Sequence, residues 1–388
     1  MMMEIHQFIP YLHAPGDAAA DQVYAFKQAF HGQGFESEIY ALGGDPDVSG
    51  IWRSVSEYDF NREPDETILL YHYVIGSPMT AMLKSAPGRL ILYYHSITPP
   101  EFVAPFHRGV ADSMEAGRKE LRTLCHVPAI AASDYSRREL VEMGFEQVSV
   151  VPLVLDFDRL HASAESPAGQ ALVERYVDGR VNWVTVGRVA PNKRCEDTLK
   201  AFAYYHQLID PTGRLFFVGG YRHFEAYQFN LRRMSEELGV ADNVHWCGWV
   251  PYDEGFGAYY RLASVFVYMS EHEGFCMPLL EAMSFDVPVV AYGAAAIPST
   301  MGNGGVLFRR KRYEAIAGLV DLLDNDTSLR QRLVAAQRRR LVQFASEGVL
   351  EKLVQTVKGY AGTAPTTSER VDVDGDDVAN AHQDRGDC

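Results

Sequence analysis

The feature that most narrows the fold is an alternation carried almost from end to end. Short apolar runs rich in β-branched and aromatic residues are each followed by a stretch with helical spacing. Such a chain builds parallel sheets covered by helices, because every parallel pair needs a crossover between its strands. In the first half the expected strands are Ile5–Pro10, Glu36–Ala41, Thr67–Ile75, Arg89–Tyr94, Ala129–Ala131 and Ser149–Pro152. Helical spacing lies between them, as at Asp21–Gly32 and Glu101–Arg122. The polar stretch Asp158–Val177 interrupts the pattern and reads as a linker. A second series follows, with strands expected at Asn182–Val186, Arg214–Val218, Val244–Cys247, Ser264–Met269, Val287–Ala291 and Gly305–Phe308. Its helices are expected at Glu196–Ile209, Phe224–Leu238, Asp253–Leu262, Pro278–Phe285 and Tyr313–Leu323, and a last helical region runs from Ser328 to about Tyr360.

At 388 residues the chain exceeds what one core usually holds. The expected architecture is α/β, with two Rossmann-like doubly wound domains facing a cleft. Residues 1–160 form the first domain, 161–180 a linker and 181–345 the second. A helix over 346–362 is expected to pack back toward the first domain, and 363–388 form an acidic tail. Doubly wound sheets bind ligands at the carboxyl ends of their strands, so the cleft is the expected site. In the tail, seven acidic residues from Glu369 onward face only Arg370 and Arg385, and without apolar periodicity the segment is expected to be disordered.

The net charge of −15 argues against a nucleic-acid partner. It leaves room for a phosphate-bearing small ligand in a locally positive pocket. The five cysteines are scattered and form no C-x-x-C pair, which suits a reducing cytoplasm. The first residues lack the pattern of a signal peptide, and no apolar run approaches the ~18 residues of a membrane span. The expected location is cytoplasmic. Peripheral contact with the inner face of a membrane is compatible with this, although no basic amphipathic helix stands out.

The most informative stretch is Ser264–Tyr292, SVFVYMSEHEGFCMPLLEAMSFDVPVVAY. A strand ends near Met269, and a short loop leads to Pro278, which suits a first helical turn because no backbone donor is needed there. Gly274 permits close approach of a ligand, and the unpaired N–H groups of the helix start favour an anion. Glu273 and Glu281 would repel a bare phosphate. They suit hydroxyls flanking it, a sugar on one side and a ribose on the other.

Glu273–Glu281 resembles the E-x7-E motif of the retaining GT-B glycosyltransferases of family four, the group 1 glycosyltransferases, in the form E-G-F-x-x-P-x-x-E-A-M. The resemblance implies that Glu273 and the amides around Gly274, Phe275 and Cys276 hold the donor hexose, and that Glu281 binds the ribose. Val184–Phe202 resembles the family's G-R-x-x-x-x-K element through Gly187, Arg188 and Lys193. Two cations there would neutralise a leaving diphosphate without a metal. The loops after Gly219–Gly220 and at Cys247–Pro251 correspond to those that receive the base in the family, which brings in Gly219, Val250 and Trp249. Trp249 suits a core or interface position equally well.

In the first half, HSITPPEF resembles the H-N-I-T-P-P-E-F run of a subset of these transferases, with Ser96 in place of Asn. His95 is then expected near the donor sugar, able to bond a hydroxyl or assist proton movement. Gly16 and Asp17 lie where the family has a glycine-rich loop, but PGDAAAD matches only partly. His72, Ser77 and Ser133 are also near strand ends, where core or capping roles are the better expectation.

Other chemistries fit less well. His272–Cys276 lacks the second histidine and the continuous helix of H-E-x-x-H, and neither G-x-G-x-x-G nor G-x-S-x-G occurs. Asp45-Pro46-Asp47 and Asp372-Val373-Asp374 lie in a loop and in the tail, where neither would hold a metal-bound diphosphate. The resemblance implies retaining transfer of a hexose-type sugar from a nucleotide-sugar co-substrate to a saccharide or lipid-linked acceptor. No metal and no cofactor are expected, and His95, Arg188, Lys193 and Glu273 carry the chemistry. The alternatives are a GT-B-fold sugar-nucleotide epimerase, which would not need the E-G-F motif, and a catalytically silent sugar-nucleotide-binding partner. Oligomeric state is not legible.

Overall fold

The computed structural model describes residues 4–60 and 67–362. The acidic tail lies outside the described residues. Thirteen strands are present among them: β1 Glu4–Leu12, β2 Ile39–Gly44, β3 Arg53–Ser54, β4 Thr67–Tyr73, β5 Arg89–Tyr94, β6 Ala129–Ala131, β7 Val148–Val150, β8 Asn182–Val186, β9 Arg214–Val218, β10 Val244–Gly248, β11 Val265–Tyr268, β12 Val289–Tyr292 and β13 Val306–Phe308. They form two separate sheets, in the orders β3-β2-β1-β4-β5-β6-β7 and β10-β9-β8-β11-β12-β13. Every pairing is parallel. Each sheet therefore has a point where the strand order reverses, between β1 and β4 in the first and between β8 and β11 in the second. These points are where doubly wound sheets receive ligands.

Two compact units hold the sheets. Among the described residues, the first takes the chain up to Ile97, Ala116–Val151 and the chain from Val349 to residue 362; the second takes Thr98–Glu115 and Pro152–Gly348. In the first unit β4 is buried at every residue and β5 at all but Arg89, as continuous apolar strands with both faces covered should be. The helix Ser346–Ala361 reaches β7 there, where Tyr360 Oη meets Ser149 Oγ at 2.7 Å. In the second unit β8 and β9 are buried throughout.

Several expectations need correction. The supposed linker is helical, as Phe157–Ala164 and Pro167–Tyr176. Asp156 caps the first helix by accepting from the Arg159 N–H, and Ser166 caps the second by accepting from Gly169. Its polar residues are capping chemistry rather than a flexible spacer. The expected helix over Glu101–Arg122 begins only at Arg108, after a turn of 3-10 helix at Pro100–Phe102. The expected single region from Ser328 breaks into Thr327–Leu341 and Ser346–Ala361. The two-residue β3 escaped notice because it is too short to show periodicity.

Thr98–Glu115, chain from the first half, packs within the second unit. The guanidinium of Arg194 lies 5.6 Å from the centre of the Phe102 ring, and Phe102 also faces His272. Phe106 packs edge-on against Tyr227. Pro99 precedes the 3-10 turn that starts at Pro100, and α-helix begins only at Arg108.

Candidate functional site

The β8–β11 reversal gathers most of the residues singled out from sequence. After β8, Gly187 turns the chain at φ +135°, and Gly219 after β9 does so at φ +152°. These loops are laced together: the Gly187 N–H donates to the Val218 carbonyl at 2.9 Å, Val189 to Gly220 at 2.8 Å, and Gly219 to Gly248 at 2.8 Å. A Cβ at Gly219 would lie 2.1 Å from the Gly187 oxygen, so only glycine permits this approach. Arg188 is exposed just beyond, its guanidinium 5.3 Å from the centre of the Phe224 ring. Val250 is half-buried and Trp249 is 65% exposed, so Trp249 is no core residue of this unit.

Across the reversal, the loop after β11 is clamped to the 191–193 turn by Asn192. Its Nδ2 donates to the His272 carbonyl at 3.0 Å, while its own carbonyl accepts from the Glu271 N–H at 2.9 Å and the Ser270 hydroxyl at 3.1 Å. That clamp places Lys193 Nζ 2.5 Å from Glu273 Oε1, and the Tyr268 hydroxyl donates to the same oxygen at 2.8 Å. Tyr268 is fully buried. Its burial, followed by the Glu273 charge, pushes its hydroxyl well above the ordinary tyrosine range and keeps it a donor. With Oε1 taken twice, Oε2 is the oxygen of Glu273 left to meet a hydroxyl.

Cys276 sits left-handed at φ +77° and turns the loop into the helix Met277–Ser284, which starts without a side-chain cap. Phe275 points inward against Phe344, so only its backbone can face a ligand. Gly274 is half-buried beside it. Glu281 is buried in the helix and accepts from the Tyr260 hydroxyl at 2.5 Å. The two carboxylates of the motif are thus each held by a buried tyrosine.

The same part of the chain has a known counterpart. Residues 177–340 match the family described as glycosyl transferases, group 1. This segment is therefore similar to the domain that defines that family. An O-antigen chain mannosyltransferase B of Escherichia coli is 27% identical over 243 residues, which cover 60% of this chain and 59% of that relative. A GDP-mannose:cellobiosyl-diphosphopolyprenol α-mannosyltransferase of Xanthomonas oryzae is 32% identical over 151 residues, covering 37% of this chain and 39% of that one. The alignments thus span less than two thirds of either relative. Among solved structures, an Anabaena protein in complex with UDP-glucose superposes with a TM-score of 0.70 at 16% identity, covering 92% of this chain and 99% of that one. The fold is the GT-B fold of two parallel-sheet Rossmann-like domains.

The remaining candidates lie in the first unit, outside the matched residues 177–340. His95 follows β5, partly exposed, with Nε2 3.1 Å from Nδ1 of His72. Burial pushes the His95 pKa down to about 3. The next residue, Ser96, is left-handed at φ +63°, and its hydroxyl donates to Glu139 at 2.9 Å. Asparagine tolerates that conformation well, so the departure from H-N-I-T-P-P-E-F keeps a short polar residue where the backbone asks for one.

Gly16 is exposed at φ +111°, and its N–H donates to Asp21 at 3.0 Å. Asp17 caps the helix Ala18–Gly32 by accepting from Ala19 and Ala20. This loop therefore spends its amides on its own carboxylates. Ser133 caps the helix Asp134–Glu142, and Ser77 lies beside the Tyr71 hydroxyl at 3.3 Å. Sequence reasoning missed Tyr268, Tyr260 and Asn192, since nothing in the pattern of a strand or helix marks which buried hydroxyl will reach a carboxylate 5 or 21 residues away.

Proposed function

We propose that the chain transfers a mannosyl or related hexosyl unit from a nucleoside diphosphate sugar to a hydroxyl of a glycan or lipid-linked acceptor. The transfer retains the anomeric configuration and needs no metal. The observation that carries this reading is the pair of tyrosine-held carboxylates, Glu273 and Glu281, with the Lys193 ammonium on Glu273. Carboxylates already fixed by donors act as rigid acceptors for hydroxyls. Glu273 takes the hexose and Glu281 the ribose, while Gly219 and Val250 border the base.

Arg188 and Lys193 neutralise the departing diphosphate, the role a metal would otherwise fill. Lys193 leans on Glu273, so one ammonium links the carboxylate that holds the sugar to the group that leaves. His95 contacts a hydroxyl of the substrate. Mannose as the sugar is supported by the names of both relatives, and GDP by that of the second. The UDP-glucose of the Anabaena structure supplies the natural competitor for a test. An epimerase is the weaker reading, because the matched family is one of transferases.

Purified protein is to be titrated with GDP-mannose and UDP-glucose, each with and without EDTA. A chosen lipid-linked acceptor then gives product for NMR of the anomeric linkage. The expected result is tighter binding of GDP-mannose, unchanged by EDTA, and an α-linked product. Preference for UDP-glucose would overturn the donor, loss of binding in EDTA the metal-free step, and a β-linked product retention. No helix among the described residues is long and apolar enough to cross a membrane, so membrane contact, if the acceptor is lipid-linked, is proposed to be peripheral.

A further inference from the structure

A chain of three side chains runs through the first unit. Gln7 on β1 and His72 on β4 are both fully buried, and His95 follows β5. Gln7 Nε2 donates to the Val23 carbonyl at 3.0 Å. Its other end, Oε1, lies 2.9 Å from His72 Nε2, and His72 Nδ1 lies 3.1 Å from His95 Nε2.

Each link dictates the next. A carbonyl can only accept, so the Gln7 amide nitrogen must face Val23 and its oxygen must face His72. An amide oxygen can only accept in turn, so His72 carries its proton on Nε2. Its Nδ1 is then unprotonated and must receive the Nε2 proton of His95, which leaves His95 Nδ1 unprotonated. The rings are neutral at ordinary pH. Burial and then the nearby His95 hold His72 well below the usual histidine value, and burial lowers His95 to about 3. Phe26 and Tyr93 pack against His72, and Tyr93 also against His95, which fixes the ring planes.

We propose that Gln7, acting through His72, is a positioning residue that locks His95 in its Nε2–H tautomer, so that Nδ1 serves as the hydrogen-bond acceptor for a hydroxyl of the substrate. The histidine at this strand end is thereby a fixed acceptor, set by a glutamine two strands away in the sheet. The second half of this statement rests on the substrate contact assigned to His95 above; the tautomer itself does not.

The test begins with the full chain labelled with 15N-histidine, the two rings being assigned by the His95→Asn and His72→Asn spectra. Nε2–H on both His72 and His95 is expected, and Nδ1–H on His95 would overturn the relay without any variant having to fold. A kinetic cycle with GDP-mannose as donor follows. Gln7→Met is expected to lower kcat/KM about tenfold, the scale of one hydrogen bond. In a His95→Asn background the same change should alter it by less than about twofold. Equal losses in both backgrounds would reduce Gln7 to a packing residue and overturn the proposal. Expected tautomers together with an unchanged kcat/KM for His95→Asn would support the relay and sink the substrate contact of the functional reading instead.

Discussion

Gly219 and Gly220 are adjacent and chemically identical, yet alanine at the two positions should behave very differently. At Gly219 the new Cβ would stand 2.1 Å from the Gly187 oxygen, 2.5 Å from its carbonyl carbon and 3.1 Å from the Arg188 nitrogen. All three are backbone atoms, so no side chain can swing aside; relief requires about 1 Å of main-chain movement to reach ordinary contact. The main chain there is held by the Gly187–Val218, Val189–Gly220 and Gly219–Gly248 hydrogen bonds. Breaking one or two of these, at about 1–3 kcal/mol each when buried, adds to about 1–3 kcal/mol for alanine at φ +152°. The sum is on the order of 3–6 kcal/mol, a large part of the ~5–15 kcal/mol that keeps a domain folded. At Gly220 the added methyl meets only Trp249 Cβ at 3.5 Å, an ordinary contact, and the change should stay within about 1 kcal/mol. Tryptophan fluorescence in urea suits the comparison, because Trp183, Trp246 and Trp249 all belong to the second unit. With a slope of about 2 kcal/mol per molar urea, Gly219→Ala should lower the midpoint by roughly 1.5–3 M and Gly220→Ala by less than about 0.5 M. Equal midpoints for the two variants would refute the packing argument. So would a Gly219→Ala protein as stable as the parent.

Three further outcomes follow from the same geometry. Arg188→Met, at an exposed residue whose ring contact contributes about 0.5–1 kcal/mol, should leave the unfolding midpoint nearly in place. It should nonetheless lower kcat about 100-fold, read by release of nucleotide; unchanged turnover would remove it from the diphosphate. Ser96→Val forces a β-branched side chain into φ +63° and loses the bond to Glu139, so calorimetry should show about 2–4 kcal/mol of destabilisation, whereas Ser96→Gly should lose about 1 kcal/mol or less. Glu271 has its pKa lowered: burial opposes this, but hydrogen bonds and charge from Lys311 and Arg194 outweigh it. A depressed folded pKa means stability present above the unfolded carboxylate value of about 4.3 and lost as pH falls through the lower folded value. Glu271→Gln should therefore weaken the protein at pH 7 and flatten its loss of stability from pH 5 downward, as followed by urea midpoints across that range.

The strand pattern was legible because buried parallel strands are continuous apolar runs. Asn182–Val186, Arg214–Val218, Arg89–Tyr94 and Ala129–Ala131 fall where composition places them. The helix after Glu273 was legible for a local reason too, since Pro278 and the glycine before it bound a first turn. The stretch 158–177 was not. Its serines, aspartates and short helices look like loop chemistry until Asp156 and Ser166 are seen capping. Nor did any local signal say that Thr98–Glu115 would pack with the second unit, because Phe102, Phe106 and His107 find their partners more than 100 residues downstream.

The site divides along the same line. By itself the sequence determined which groups carry charge and where glycine must stand, since E-G-F-x-x-P-x-x-E and G-R-x-x-x-x-K depend on backbone local to one strand-to-helix turn. Only the tertiary structure decided which of those groups are held, and by what. Tyr268 and Lys193 converge on one oxygen of Glu273, Tyr260 takes Glu281, and Gln7 and His72 set the proton on His95. The physical reason is that a hydrogen bond depends on ångströms in space. Residues from neighbouring strands share that space whatever their separation along the chain.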